Sequence, residues 1–102
     1  MDVEKGGFVY IMSSQPRGTL YIGVTSDLMR RVSQHRLGLV DGFTKTYGVK
    51  RLVWYEQFAD ISPAIAREKA LKFWKRDWKV RLIEDANPDW HDLAIAWGFA
   101  PI

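Results

Sequence analysis

The chain has 102 residues, of which 47% are hydrophobic and 26% are charged, a balance that is typical of globular proteins and excludes intrinsic disorder. Because it contains no cysteine, neither a disulfide framework nor a thiolate metal site is possible, and two well-separated histidines do not favour a zinc site. The net charge of +3 and the pI of 9.3 are compatible with a polyanionic partner, although mildly basic small proteins are also common.

The first part of the chain predicts a β-hairpin. Residues 8–12 form an apolar run rich in strand-forming residues, which is typical of a buried strand. Residues 13–18 contain serine, proline and glycine, which favour a turn, and residues 19–24 predict the second strand. Because side chains alternate along a strand, Tyr10 and Tyr21 are able to share a face, but the sequence does not define the register.

A helix is predicted over residues 27–37, after hydroxyl and carboxylate side chains that commonly cap a helix, and it ends near Gly38. Four side chains at helical spacing are expected to face inward: Leu28, Val32, His35 and Leu39. Arg31 borders this inward stripe, whereas Arg30 lies closer to solvent. The two adjacent arginines therefore have different expected environments.

The second half of the chain predicts a third strand and a set of helices. Residues 38–50 contain three glycines and no clear period, so we expect a loop there, and residues 51–58 predict the strand. A serine followed by proline then starts a helical pattern over residues 62–84, with the proline at the first helical position. We expect a bend in this pattern near residues 72–77.

Two stripes follow helical spacing within the long pattern. One stripe is apolar: Leu71, Trp74, Trp78 and Leu82. The other stripe is basic: Lys69, Lys72, Arg76 and Lys79. The basic stripe favours contact with a DNA backbone, and a solvated helix face is the alternative. Asn87 and Pro88 repeat the cap-then-proline pattern and are expected to open a last amphipathic segment, in which Trp90, Leu93 and Trp97 recur at helical spacing.

The order of elements is two strands, a helix, a strand and three helices (β-β-α-β-α-α-α). The simplest assembly is an α+β fold with a three-stranded antiparallel sheet flanked by helices, in one domain over residues 1–102. No apolar stretch approaches the roughly twenty residues that span a bilayer, and the first residues do not resemble a signal peptide. We therefore expect no membrane association, and the lack of cysteine is compatible with a cytoplasmic location.

The sequence lacks the motifs of several common sites. No GxxxxGK[ST] loop is present for a nucleotide cofactor, and no GxSxG turn for a serine hydrolase. Hydrolysis of a phosphodiester needs a proton acceptor, positive charge on the phosphate and help for the leaving oxygen, and a divalent cation serves the last two needs. Because Mg²⁺ needs only one or two protein oxygens, Glu68 is a candidate ligand, and an i, i+4 salt bridge to Lys72 is the alternative.

The motifs and their spacing resemble the signature of the GIY-YIG endonuclease superfamily. FVY at residues 8–10 is followed after ten residues by YIG at 21–23, Arg31 falls ten residues beyond the second tyrosine, and Glu68 lies on the helix after the third strand. Phenylalanine and valine replace the glycine and isoleucine of the first motif. The run over residues 67–90 is similar to the small stand-alone bacterial subgroup. Larger relatives carry a separate DNA-binding domain, so the resemblance implies weak affinity and slight sequence preference here.

The resemblance implies roles for individual side chains. Tyr10 matches the tyrosine that acts as general base or orients the attacking water. Since the ordinary pKa of tyrosine is about 10, this role needs nearby positive charge, for which Lys45 and His35 are candidates. Tyr21 matches a phosphate or water contact, and Arg31 matches the arginine that holds the scissile phosphate. The structural alternatives are strand core residues for the tyrosines and a helix-surface salt bridge for the arginine.

The resemblance also implies the activity and the remaining contacts. Glu68 would hold Mg²⁺ or Mn²⁺, and Arg30 and the basic stripe would contact the nucleic acid. Gly23 would allow a close approach of helix or substrate, although a strand-end turn explains it equally. Asn87 matches a polar residue near the site, with a helix cap as the stronger alternative.

The implied function is a metal-dependent DNA endonuclease that acts on structured or damaged DNA in DNA repair. A nucleic-acid-binding module with weak or vestigial catalysis is the alternative, and a protein-binding domain that uses exposed tryptophan is a third possibility.

Overall fold

Three strands form the centre of the molecule in the computed structural model, which describes residues 6–40 and 42–102. The strands are β1 (Gly7–Ser13), β2 (Leu20–Thr25) and β3 (Arg51–Phe58). They form one antiparallel sheet in the order β2-β1-β3, so β2 and β3 are the edge strands. The sheet and its flanking helices confirm the predicted α+β fold class.

The register of the hairpin determines which side chains share a face. Tyr10 lies opposite Gly23, and Met12 lies opposite Tyr21. Residues opposite each other in an antiparallel pair point to the same face, and side chains alternate along each strand. Tyr10 and Tyr21 therefore lie on one face of the sheet, and Ile22 lies on the other.

Five helical segments surround the sheet: α1 (Leu28–Arg36), α2 (Gly42–Tyr47), α3 (Ile61–Phe73), α4 (Arg76–Ala86) and a 3-10 helix (Leu93–Trp97). One core cluster joins the Ile22 face to α3 and α4, and its buried members include Val9, Ile11, Ile22, Ala64, Leu71 and Ile83. A second cluster joins the Tyr10 face to α1 and the 3-10 helix, and its buried members include Tyr10, Met12, Leu28, Val32, Leu52 and Ala94. The sheet thus separates two apolar layers.

The prediction of a loop over residues 38–50 is wrong in part, because α2 lies within it. This helix has only six residues, with glycines at both ends of the segment, so it is too short to produce a hydrophobic period. The expectation that Leu39 faces inward is also wrong, since this side chain is 68% exposed. Gly38 has a φ of 73°, which turns the chain away from the axis of α1 before Leu39 is reached.

The predicted start of the long helical pattern is wrong by two residues. Helix α3 begins at Ile61 after Asp60, so Pro63 is the third helical residue, where its missing N–H is still tolerated. The predicted bend is confirmed as a complete break, because Trp74 and Lys75 have extended backbone between α3 and α4. This break changes the direction of the helix axis, and the expected apolar stripe is interrupted: Trp78 is 54% exposed.

The last amphipathic segment is a 3-10 helix, and the prediction that Asn87 opens it is wrong. Asn87 ends α4, and the side chain of Asp92 caps the 3-10 helix by accepting from the Ala94 N–H. Asp92 also accepts from the Leu52 N–H and forms a buried ion pair with Arg36. This carboxylate therefore ties the C-terminal segment to β3 and α1. Within the described ranges, no helix has the length and apolar character required to cross a bilayer.

Candidate active site

Tyr10 and His35 form a buried pair between β1 and α1. The Tyr10 hydroxyl lies 2.9 Å from Nε2 of His35, and the imidazole tautomer decides which of the two donates the hydrogen bond. His35 faces the sheet because it follows Leu28 and Val32 on the inward side of α1, as its spacing predicts. Tyr10 is only 1% exposed, so this hydrogen bond lies in a site from which bulk water is excluded.

Gly23 provides the space that the Tyr10 ring occupies. A Cβ atom at this position would lie 2.4 Å from the Tyr10 hydroxyl oxygen and 2.5 Å from Cζ. The group that approaches Gly23 closely is thus the tyrosine of the neighbouring strand, and the backbone conformation at Gly23 does not itself require glycine, since its φ is not positive. A glycine here allows the Tyr10 ring to lie across β2 and reach α1.

Tyr21 links the buried pair to the protein surface. Its ring centroid lies 6.3 Å from that of Tyr10 and 5.1 Å from that of His35. On the outer side, Phe43 lies 6.4 Å from Tyr21, and Tyr47 lies 4.9 Å from Phe43. The aromatic rings therefore form a continuous series from the core to the surface. The sequence interpretation did not identify Phe43, although the i, i+4 spacing of two aromatic residues between glycines was an available signal.

An open groove of about 280 Å³ runs along the edge strand β2. Six residues line it: Leu20, Tyr21, Ile22, Phe43, Lys72 and Lys79. Because β2 is an edge strand, side chains from both faces of the sheet reach this groove. Tyr21 comes from the α1 side, whereas Lys72 comes from α3 on the opposite side.

Glu68 lies beside this groove on the inner surface of α3. It is 9% exposed, and the Ala64 and Leu71 side chains on the same helix surface belong to the core. Its Oε2 atom lies 2.6 Å from Nζ of Lys72, so the i, i+4 salt bridge given as the alternative interpretation is present. Through Lys72, the Glu68 carboxylate is connected to the groove that Tyr21 lines.

A single carboxylate fits the requirements of a hard cation, but only in part. No cluster of three or more acidic, histidine or cysteine side chains that would hold a metal ion occurs in residues 6–40 and 42–102. Mg²⁺ retains most of its waters and needs only one or two protein oxygens, and Glu68 would supply one of them. The Lys72 ammonium would have to leave the carboxylate, and its half-exposed, flexible side chain is able to do so.

Arg31 lines a second concavity, a polar recess of about 290 Å³ at the start of α1. The recess is lined by Thr25, Ser26, Asp27, Arg30, Arg31 and Gln34. Arg31 is half-buried and Arg30 is exposed, which matches the different environments expected for the two arginines. The recess begins at the carboxyl end of β2, so the same strand borders both concavities.

The other basic candidates have different environments. Lys45 is exposed, and its aliphatic chain passes over Gly38 at the end of α1. Lys69 is exposed on α3, whereas the Lys79 ammonium lies 3.5 Å from the backbone oxygen of Lys72. Arg76 donates hydrogen bonds to the backbone oxygens of residues 17 and 18, at 2.7 and 2.8 Å. Arg76 therefore holds the hairpin turn against α4.

Asn87 joins the end of α4 to the sheet. It is buried, its Nδ2 donates to the backbone oxygens of Val53 and His91, and its Oδ1 accepts from the His91 N–H. These contacts account for its polar side chain structurally, and Asn87 is not among the residues that line the groove.

Arg17 and Glu84 form a second link between the hairpin turn and α4. Nε and one terminal nitrogen of Arg17 each donate to a different Glu84 oxygen at 2.9 Å. These hydrogen bonds, together with one from the Trp90 indole, hold the pKa of the Glu84 carboxyl below its ordinary value. The turn that precedes β2 is thereby positioned by charged groups on α4.

Comparison with known proteins identifies a family over most of this structure. The family model described as "GIY-YIG catalytic domain" matches residues 6–81, which include β1 to α3 and half of α4. UPF0213 proteins of Staphylococcus aureus strains Mu3, Mu50 and N315 are each 36% identical over 78 residues. The matched region covers 76% of this chain and 94% of each relative, so these relatives are themselves small. No solved structure gives a significant match.

Proposed function

Because the chain belongs to the GIY-YIG family, we propose that it is a divalent-metal-dependent DNA endonuclease that hydrolyses phosphodiester bonds. The observation that carries this proposal is the contact of Tyr10, Tyr21 and His35 beside a groove that also reaches Lys72, the partner of Glu68. Structured or damaged DNA is the proposed substrate and DNA repair the proposed process, as the sequence resemblance implies, and we propose a cytoplasmic location, with which the lack of cysteine is compatible.

In the proposed reaction, the Tyr10–His35 pair accepts the proton of the attacking water or orients that water. Tyr10 acts as general base or orients the water, and His35 supports it as the hydrogen-bond partner of its hydroxyl. Tyr21 contacts the water or the phosphate, since it is the member of the group that lines the groove. The low accessibility of Tyr10 strengthens its interaction with His35, because water does not compete for the hydrogen bond.

In this proposal, basic side chains and a bound cation both place positive charge beside the substrate phosphate. Arg31 holds the scissile phosphate through its guanidinium group, which matches phosphate geometry, while Lys45 and Arg30 supply further charge along α1 and α2. Glu68 would hold Mg²⁺ or Mn²⁺, which, when bound, neutralises charge on the phosphate and the leaving oxygen. Lys72 holds the Glu68 carboxylate in position before the cation binds.

The test is nicking of a supercoiled plasmid by purified protein in Mg²⁺, with chelator as the control. Glu68→Gln and Tyr10→Phe are expected to lower the rate by about 10²-fold or more while both variants remain folded. Glu56→Gln is a matched control, because Glu56 is a partly exposed carboxylate that pairs with Arg67. Nicking that persists in both variants at the wild-type rate would show that the proposed site is wrong.

One observation favours a second candidate function, a nucleic-acid-binding module with weak or vestigial catalysis. The 2.6 Å contact between Lys72 and Glu68 neutralises the carboxylate that would bind the metal. This alternative predicts binding of DNA without metal-dependent nicking. A plasmid assay across Mg²⁺ and Mn²⁺ concentrations, combined with a binding measurement in chelator, separates the two functions.

A further inference from the structure

The break between α3 and α4 exposes two large aromatic side chains. Phe73, the last residue of α3, is 90% exposed, and Trp78 on the first turn of α4 is 54% exposed. Trp78 packs edge-on against Trp74, with their centroids 6.0 Å apart. Beside it lies an open recess of about 260 Å³, lined by Trp74, Trp78, Arg81, Leu82 and Asp85. We refer to Phe73, Trp78 and this recess as the Trp78 surface.

The α3–α4 segment that carries the Trp78 surface is rich in basic residues, although Asp85 also lines the recess. Seven lysines and arginines but only two acidic residues lie between residues 67 and 81, although the whole chain has a net charge of only +3. The Lys75 ammonium lies 5.8 Å from the centroid of the Trp78 ring, within the range of a cation–π interaction. An aromatic face surrounded by cations complements a polyanion that also offers flat rings, which describes a nucleic acid.

The Trp78 surface and part of the lining of the groove along β2 are carried by the same α3–α4 segment. Lys72 and Lys79 line that groove, and they are the sequence neighbours of Phe73 and Trp78. The Lys79 ammonium lies 3.5 Å from the backbone oxygen of Lys72, so the two lysines lie close together across the helix break. Two of the lysines that line the groove are therefore adjacent in the chain to the exposed aromatic residues of the Trp78 surface.

We infer that the Trp78 surface binds an unpaired nucleobase of the nucleic acid outside the active-site groove. Trp78 and Phe73 provide the stacking faces, and Lys72, Lys75 and Lys79 contact the adjoining phosphates. This inference rests on the proposed function for the identity of the bound polymer. The surface supplies affinity from within the domain, whereas the resemblance implies that affinity is weak without the separate DNA-binding domain of larger relatives.

The experiment is a binding titration with a short fluorescein-labelled oligothymidylate, followed by anisotropy in the presence of chelator. Trp78→Ala is expected to raise the Kd by about 5- to 140-fold, the range for loss of one stacked base. Trp78→Phe keeps a π-face and is expected to stay close to wild type, whereas Trp78→Leu keeps apolar area only and is expected to bind as weakly as the alanine variant. Leu37→Ala is the matched control, since Leu37 is a 69% exposed apolar residue at the end of α1.

Charge is tested separately from stacking. Lys75→Gln is expected to reduce the slope of log K against log salt by about 0.7, the value for one phosphate contact on a single strand. An unchanged slope would remove Lys75 from the proposed contacts. Circular dichroism melting of each variant checks that the fold is intact, and Trp78→Phe provides a folded comparison if the smaller side chains destabilise α4.

The outcomes distinguish this inference from the nuclease proposal. Wild-type affinity in Trp78→Ala, or in Trp78→Leu, overturns the stacking site, and a protein partner then becomes the occupant that the surface fits. Normal nicking combined with such unchanged affinity would overturn the stacking site alone. Conversely, if the wild-type protein nicks no plasmid in Mg²⁺ but binding still depends on Trp78, the nuclease proposal fails and the stacking site stands.

Discussion

The hydroxyl oxygen of Tyr10 lies 2.4 Å from the place that a Cβ atom on Gly23 would occupy. No real Cβ atom tolerates such a contact, so the Tyr10 ring holds its place only if residue 23 has no side chain. The Tyr10 ring is buried and cannot bend out of the contact, and its hydroxyl is hydrogen-bonded to His35. Gly23 of the second motif therefore leaves the space that Tyr10 of the first motif occupies on the neighbouring strand.

Gly23→Ala is expected to displace the Tyr10 ring and break its hydrogen bond with His35. Overpacking of this kind costs about 1–3 kcal/mol of folding free energy, and we expect nicking to fall by about tenfold or more. Urea unfolding and the plasmid assay measure the two effects. Gly42→Ala is the control, because a Cβ atom at Gly42 meets nothing within 4 Å. Equal effects of the two substitutions would contradict the steric role of Gly23.

Lys72→Gln is expected to strengthen cation binding at Glu68. The Lys72 ammonium competes for the carboxylate at 2.6 Å, but Lys72 is about half exposed, so the competition is worth only as much as a surface ion pair. We expect half-saturation by Mn²⁺, followed by electron paramagnetic resonance, at a concentration about two- to fivefold lower. Lys69→Gln removes the same charge from the same helix and controls for general electrostatics. Identical curves for the two variants would argue against direct competition.

Asp92→Asn is expected to destabilise the protein strongly. Asp92 and Arg36 are both largely buried, and removing one charge of a buried pair leaves the other uncompensated, at a cost of about 3–5 kcal/mol. The amide is still able to accept hydrogen bonds from Leu52 and Ala94, so the loss reports on the charge itself. Chemical denaturation measures it. Asp89→Asn is the exposed control, for which we expect a change below about 0.5 kcal/mol.

The Arg17–Glu84 pair predicts a dependence of stability on pH. The pKa of Glu84 is lower in the folded chain than its ordinary value of 4.5, because the ionised carboxylate accepts hydrogen bonds from Arg17 and Trp90. The contribution of the ionised Glu84 carboxylate to stability is therefore present above pH 4.5. It is lost as the pH falls through the lower pKa that Glu84 has in the folded chain. Glu84→Gln is expected to lower the Tm at neutral pH, with the difference from wild type shrinking below pH 4.5. A difference that grows in acid would contradict this assignment.

The hairpin, α1 and β3 were predictable because each carries its own local signal. Alternating or continuous apolar residues mark the strands, and a cap, an inward stripe and a closing glycine mark α1, so the observed bounds fall within one or two residues of the prediction. Helix α2 is too short to carry such a period, and the last segment, predicted as an amphipathic helix opened by Asn87, is a 3-10 helix that begins only at Leu93. The position of Trp78 was not predictable either, because the break at Trp74 and Lys75 reoriented the stripe to which it belonged.

The sequence by itself determined the fold class through the patterns along the chain, and its resemblance to a known family supplied the family and most of the candidate site residues. Only the tertiary structure decided which candidates meet. It placed Tyr10, His35 and Tyr21 in contact, and it brought Glu68, from the opposite side of the sheet, to the groove at the edge of β2 through Lys72. The reason is that strand register and layer packing join residues far apart in sequence, and local propensities do not report such contacts.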